Sequence, residues 1–65
     1  MKEKISLKSA RIEAGLTQEE AAKLIDVSRD TISNWETGKS SPSTKRFKLI
    51  EAAYGRPYDS INFLP

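Results

Sequence analysis

The sequence predicts an all-α fold, and three observations predict it. Apolar residues recur at helical intervals of three and four, and no stretch alternates with a strand's period of two. The three glycines and three prolines fall between the periodic segments as punctuation. With no linker, repeat or low-complexity tract, residues 1–65 read as one compact domain of five short helices with tight connections.

In the first segment Leu7, Ala10, Arg11 and Ala14 share a face, and Gly15 follows where a left-handed cap is wanted, so helix 1 is expected from about Ile5 to Ala14. Thr17 then opens T-Q-E-E, a capping box in which the Thr17 hydroxyl and the Glu20 carboxylate each satisfy a backbone donor. Ala21, Leu24 and Ile25 form the expected buried side of helix 2. It ends at Asp26, a residue type that tolerates the left-handed conformation. Ser28 caps helix 3, in which Ile32 and Trp35 face inward, joined by Val27 from the turn, and Gly38 stops it. Residues 17–37 thus form two helices separated by about three residues, the spacing of a helix-turn-helix.

Helix 4 is expected over about 43–54, capped by Ser41 or Ser43 with Pro42 at or before its first turn, facing inward with Phe47, Ile50, Ala53 and Tyr54. Gly55 ends it. The tail, PYDSINFL, is long enough for about two turns over 57–64, with Tyr58, Ile61 and Leu64 on one side and Phe63 near them.

Composition narrows the function. A chain of 65 residues with 37% hydrophobic content builds one small core, burying only about 60% of the surface its unfolded form exposes. Without cysteine it has neither disulfides nor thiolate metal ligands, and without histidine it lacks the usual neutral-pH acid and base. No paired carboxylates stand in an evident pocket, and Gly15, Gly38 and Gly55 are isolated rather than spaced as a phosphate loop, so the reading is of a non-enzyme without cofactor or metal. No apolar run approaches the roughly 20 residues of a membrane span, and MKEKISLKSA has no signal-peptide core; a cytoplasmic, unprocessed protein is expected.

A formal charge of +2 and a pI near 9.1 lean only slightly towards anionic partners. The distribution is more telling: from Arg29 to Lys48 there are five basic residues (Arg29, Lys39, Lys45, Arg46, Lys48) against two acidic ones (Asp30, Glu36). On helix 3, Arg29, Asp30, Ser33 and Asn34 project away from the face that carries Ile32 and Trp35. An α-helix fits the major groove of B-DNA, where base edges offer a distinct donor and acceptor pattern.

LTQEEAAKLIDVSRDTISNWETGKSSPS, followed by FKLIEAAYG and PYDSI, resembles the Cro/CI-type (lambda-repressor-like, XRE) helix-turn-helix domains of phage and bacterial regulators, over roughly Ile5 to Leu64. The resemblance implies a five-helix DNA-binding domain, usually a dimer, in transcriptional regulation. It puts Gln18 against a DNA phosphate, braced to the recognition helix, and makes Ser28, Arg29, Asp30, Ser33 and Asn34 the base-reading positions. A guanidinium at Arg29 can take guanine O6 and N7 together, and Asn34 can hold an adenine or drop to a phosphate. Asp30 either accepts from cytosine, or holds Arg29, or serves only the helix dipole. Thr37, Gly38 and Lys39 correspond to a loop that grips the backbone through main-chain N–H groups and a lysine, and Lys45 and Arg46 add charge for phosphates. Arg11 corresponds to a residue paired with the acid at Glu36, tying helix 1 to helix 3.

The sequence departs from the family at Asp26, where glycine is common, at Thr44 and Glu51, where apolar residues are, and at Arg56, where an aliphatic residue is. Asp26 is expected to tilt the recognition helix a little, while the changes at Thr44, Glu51 and Arg56 weaken the expected packing of helix 4 on helix 5 or shape a dimer contact, for which Tyr58, Ile61, Phe63 and Leu64 are the candidates. The expected function is a small Cro-like or repressor-like regulator that binds a pseudo-palindromic operator in double-stranded DNA as a homodimer and blocks polymerase. Activation through an exposed Glu19 on helix 2 is a variant of it. The alternatives are an antitoxin or partner-controlled regulator using the tail, and a protein-interaction module on the same fold.

Overall fold

The computed structural model describes residues 4–63. Four helices follow one another: α1 (Leu7–Glu13), α2 (Gln18–Ile25), α3 (Arg29–Thr37) and α4 (Thr44–Tyr54). Strand β1 (Ile5–Ser6) precedes them, and a single 3-10 turn (Tyr58–Ser60) leads into strand β2 (Ile61–Asn62).

Each helix begins at a hydroxyl residue. Ser6, Thr17 and Ser28 accept hydrogen bonds from the backbone N–H of Ser9, Glu20 and Thr31, which satisfies one otherwise orphaned donor at each helix start. At Thr17 the capping box is complete, because the Glu20 carboxylate also accepts from the Thr17 N–H at 2.9 Å. Ser43 caps α4 by position only, without a side-chain bond. Asp26 ends α2 at φ 62°, the one left-handed non-glycine among the described residues; the short polar side chain makes that conformation accessible.

The core is small and built largely from alanine and isoleucine. Leu7 and Ala10 of α1, Ala21, Ala22 and Ile25 of α2, Ile32 and Trp35 of α3, Ile50 and Tyr54 of α4, and Ile61 are buried. Ile5, Leu16, Val27, Phe47, Ala53 and Phe63 pack around them. Alanines on α2 let neighbouring helices approach it closely, and α2 packs on both α3 and α4.

Three expectations are corrected. The fifth helix over 57–64 is absent. Pro57 is extended, the Ser60 N–H and hydroxyl both return to the Pro57 carbonyl, and the chain then leaves in extended conformation. An isolated helix of about two turns is unstable in water. β-Branched Ile61 instead pairs with Ile5, and Asn62 with Ser6, in a two-residue parallel ladder. The same pairing shortens α1 at its start, since Ile5 and Ser6 are strand, while Ala14 is exposed at the helix end. On α2, Leu24 is 54% exposed and Ala22 takes its expected place inside; the seam that serves both α3 and α4 is centred on Ala21, Ala22 and Ile25.

Two of the residues that departed from the family pattern, Glu51 and Arg56, carry side-chain bonds. Glu51 accepts from the Tyr58 N–H at 2.8 Å, and Arg56 reaches the Ser60 hydroxyl (2.8 Å) and the Glu13 carboxylate (3.0 Å), so polar ties hold the tail to α4 and α1.

Candidate nucleic-acid interface

The position of α3 is set from both sides. Beneath it, Ile32 and Trp35 anchor it in the core. At its carboxyl end, Glu36 turns back under the helix and accepts from Arg11 Nε at 2.7 Å, Arg11 Nη2 at 3.3 Å and Gln18 Nε2 at 3.1 Å. The remaining Arg11 nitrogen donates to the Leu16 carbonyl at 2.8 Å. Both charged side chains are nearly sealed from water (10% and 4% exposed), so the pair owes its tolerance to having its hydrogen-bonding groups met. One carboxylate thereby joins α1, the amino end of α2 and α3.

The outer face of α3 is the opposite kind of surface. Arg29 and Asp30 are exposed, Ser33 and Asn34 half-buried, and the side chains of all four lack hydrogen-bond partners among the described residues. Asp30 does not hold Arg29; the ion pairs among the described residues are Arg11–Glu36 and Arg56–Glu13. Arg29 borders an open depression with Thr17, Gln18, Glu19 and Arg11, which brings the amino ends of α2 and α3 to one surface. Two helix starts there offer partial positive charge and side-chain donors to an anion.

Ser28 is already engaged as the α3 cap: its oxygen accepts from the Thr31 N–H at 3.1 Å and lies 2.9 Å from the Thr31 hydroxyl. Whichever hydroxyl donates, the other keeps a free O–H, so Thr31 shares any polar role of Ser28. The sequence reading missed Thr31; the signal is its spacing of three from a helix-capping serine.

The turn after α3 is closed by its own main chain. The N–H groups of Gly38, Lys39 and Ser40 all return to the Asn34 carbonyl, with Lys39 at 2.9 Å and Ser40 at 3.3 Å. The Thr37 hydroxyl donates to the Ser33 carbonyl at 3.0 Å. Main-chain donors of Gly38 and Lys39 are therefore spent on closing the helix, made possible by Gly38 at φ 83°. The side chain of Lys39 is exposed at this turn, as are Thr37 and Ser40 on either side of it.

Of the two basic residues that open α4, Lys45 is exposed, whereas Arg46 is half-buried and donates to the Ile25 carbonyl at 3.3 Å. The tail residues are divided as well. Ile61 is 2% exposed and belongs to the monomer core, while Tyr58 is 47% exposed. Phe47 lies between Tyr58 and Phe63, stacked on each with ring centroids 5.0 Å apart. Leu64 lies outside the described residues. No helix among the described residues is long and apolar enough to cross a membrane.

A helix-turn-helix family model matches residues 7–61, from the start of α1 to the first residue of β2. The chain belongs to that family, of the XRE or Cro/CI type, a family of DNA-binding regulators. No curated protein and no solved structure matches the chain.

Proposed function

We propose that this protein is a sequence-specific transcriptional regulator of the Cro-like or repressor-like kind, acting in the cytoplasm as a homodimer on a pseudo-palindromic operator and occluding the promoter. The observation that carries the reading is the unpartnered polar face of α3, Arg29, Asp30, Ser33 and Asn34, held outward by a buried ion pair and bordered by Gln18. Side chains without internal partners on a helix locked in place are what reading of base edges requires. In this reading Arg29 takes a guanine, Asn34 an adenine or a phosphate, and Ser28 and Thr31 share a hydroxyl contact. Gln18, Lys39 and Lys45 engage phosphates.

Dimerisation follows from affinity. A single 7.3 kDa domain makes few phosphate contacts, and specific affinities of about 10⁻⁸ M or tighter normally draw on two subunits on half-sites about one helical turn apart. The exposed ring of Tyr58, backed by Phe47 and Phe63, is the surface assigned to the second subunit.

The test is selection of binders from a random duplex library at near-physiological salt with the purified protein. Enrichment of a two-fold symmetric site supports the reading. A protein that enriches nothing while keeping its helical circular dichroism sinks it, and a search for a protein partner through the Tyr58 surface becomes the better course.

A further inference from the structure

Arg46 has the right charge and position in sequence for a phosphate contact, yet its guanidinium donates within the protein, to the Ile25 carbonyl. We propose that Arg46 is a positioning residue for the recognition helix, acting through the turn between α2 and α3 rather than on DNA; this rests on the reading of α3 as the DNA-reading element.

The turn is short, and its backbone needs are specific. The N–H groups of Asp26 and Val27 both return to the Ala22 carbonyl, and Asp26 reverses the chain at φ 62° before Ser28 starts α3. Like the other last carbonyls of a helix, that of Ile25 has no partner within α2. Arg46 Nη1 supplies one at 3.3 Å, and among the described residues no other side chain donates to a carbonyl of Ile25, Asp26 or Val27. A cation at a helix carboxyl end is also favoured by the helix dipole.

Arg46 stands near the start of α4, which packs against α2, so its bond fixes the turn to an element outside the helix-turn-helix itself. It sits at the far end of α2 from Gln18, a separation of roughly 11 Å along the helix. Small errors at the turn are magnified along α3. A rotation of about 10° there moves a side chain five residues along α3 by roughly 1 Å, enough to misalign a bidentate hydrogen bond. A lysine could keep the charge but, as a compact ammonium on a flexible stem, would not reproduce the planar fork.

The experiment has a DNA-free arm and a DNA arm, applied to Arg46→Met, Arg46→Lys and the comparison variant Lys39→Met. In the first, native-state hydrogen exchange of the Asp26 and Val27 amides is followed by NMR. Exchange is expected to quicken several-fold in both Arg46 variants and to stay unchanged in Lys39→Met. In the second, affinity for the selected operator duplex is measured across salt concentrations. Arg46→Met is expected to bind about tenfold more weakly with an unchanged salt slope, whereas removal of a phosphate-binding lysine lowers the slope by about one.

Unchanged exchange at the turn in both Arg46 variants overturns the proposal, as does a salt slope lowered by about one in Arg46→Met. If the wild type selects no operator, the regulator reading fails on its own, and with it the DNA consequence assigned to Arg46; the exchange arm still decides whether Arg46 holds the turn. Arg46→Lys keeps the proposal testable if Arg46→Met does not fold.

Discussion

The Arg11 guanidinium and the Glu36 carboxylate, 25 positions apart, meet in a two-pronged ion pair beneath α3, with Gln18 as a third donor. Neither group has enough water around it to compensate for loss of the other. Arg11→Met is therefore expected to destabilise the domain by about 3–5 kcal/mol, because it leaves the carboxylate buried with one side-chain donor. The double variant Arg11→Met, Glu36→Met should recover part of that loss. Urea unfolding of the three proteins checks this; a loss below about 1 kcal/mol in the single variant would mean that water reaches Glu36.

Arg29 is exposed and makes no ion pair or hydrogen bond among the described residues, so its removal should leave the fold alone. Arg29→Ala is expected to shift stability by no more than about 0.5 kcal/mol and to relax one guanine preference in the selected operator, at a cost of about 1–3 kcal/mol in binding. Lys39→Met should instead weaken binding to all duplexes alike and flatten its salt dependence. Selection with each variant separates the two. A guanine preference that survives in Arg29→Ala would reassign the base contact.

The capping box of α2 carries an acid-side signature. The Glu20 pKa is lowered from 4.5, first by the Thr17 backbone N–H and then by the Thr17 side chain. A carboxylate with a depressed folded pKa stabilises the fold above its unfolded value, and the contribution disappears as pH falls through the folded one. The stability difference between wild type and Glu20→Gln should therefore be constant near neutrality and shrink below about pH 4.5. Glutamine keeps the capping geometry, so the comparison isolates the charge. Thr17→Ala, which removes the hydroxyl side of the box, should cost about 1 kcal/mol at neutral pH.

Local rules were legible where neighbours in sequence satisfy one another. The caps at Thr17 and Ser28, the left-handed Asp26 and the stop at Gly38 all follow from one or two side chains and the backbone beside them. Burial of Ile32 and Trp35 follows from periodicity for the same reason. What was hidden depends on distant partners. Ile61 does not announce Ile5, 56 positions earlier, as its strand partner, so local periodicity in the tail points to a helix instead. Nor could charge alone show that Arg46 faces the Ile25 carbonyl or that Gly38 and Lys39 spend their N–H groups on Asn34. Leu24 shows the limit of hydropathy, since its apolar side chain lies on the solvent side of α2 while two alanines serve the core.

At the alkaline end the sensitive group is Tyr54, which is 6% exposed in the core. Burial pushes its pKa up from 10.0 to about 12, assisted by the negative charge of Glu36 and opposed by Arg11. Here the folded state favours the neutral form. The stabilisation is fully present below the unfolded pKa near 10 and is lost as pH rises towards about 12, because the unfolded chain ionises its tyrosine first. Tyr54→Phe removes the titrating hydroxyl and keeps the ring. The stability difference between the two proteins should be level from pH 7 to 9 and then move against the wild type between pH 10 and 12. Tyr58 is common to both and cancels. Urea midpoints at half-unit pH intervals give the comparison, and two curves that stay parallel through pH 11.5 would show that the Tyr54 hydroxyl ionises as readily in the folded core as in the unfolded chain.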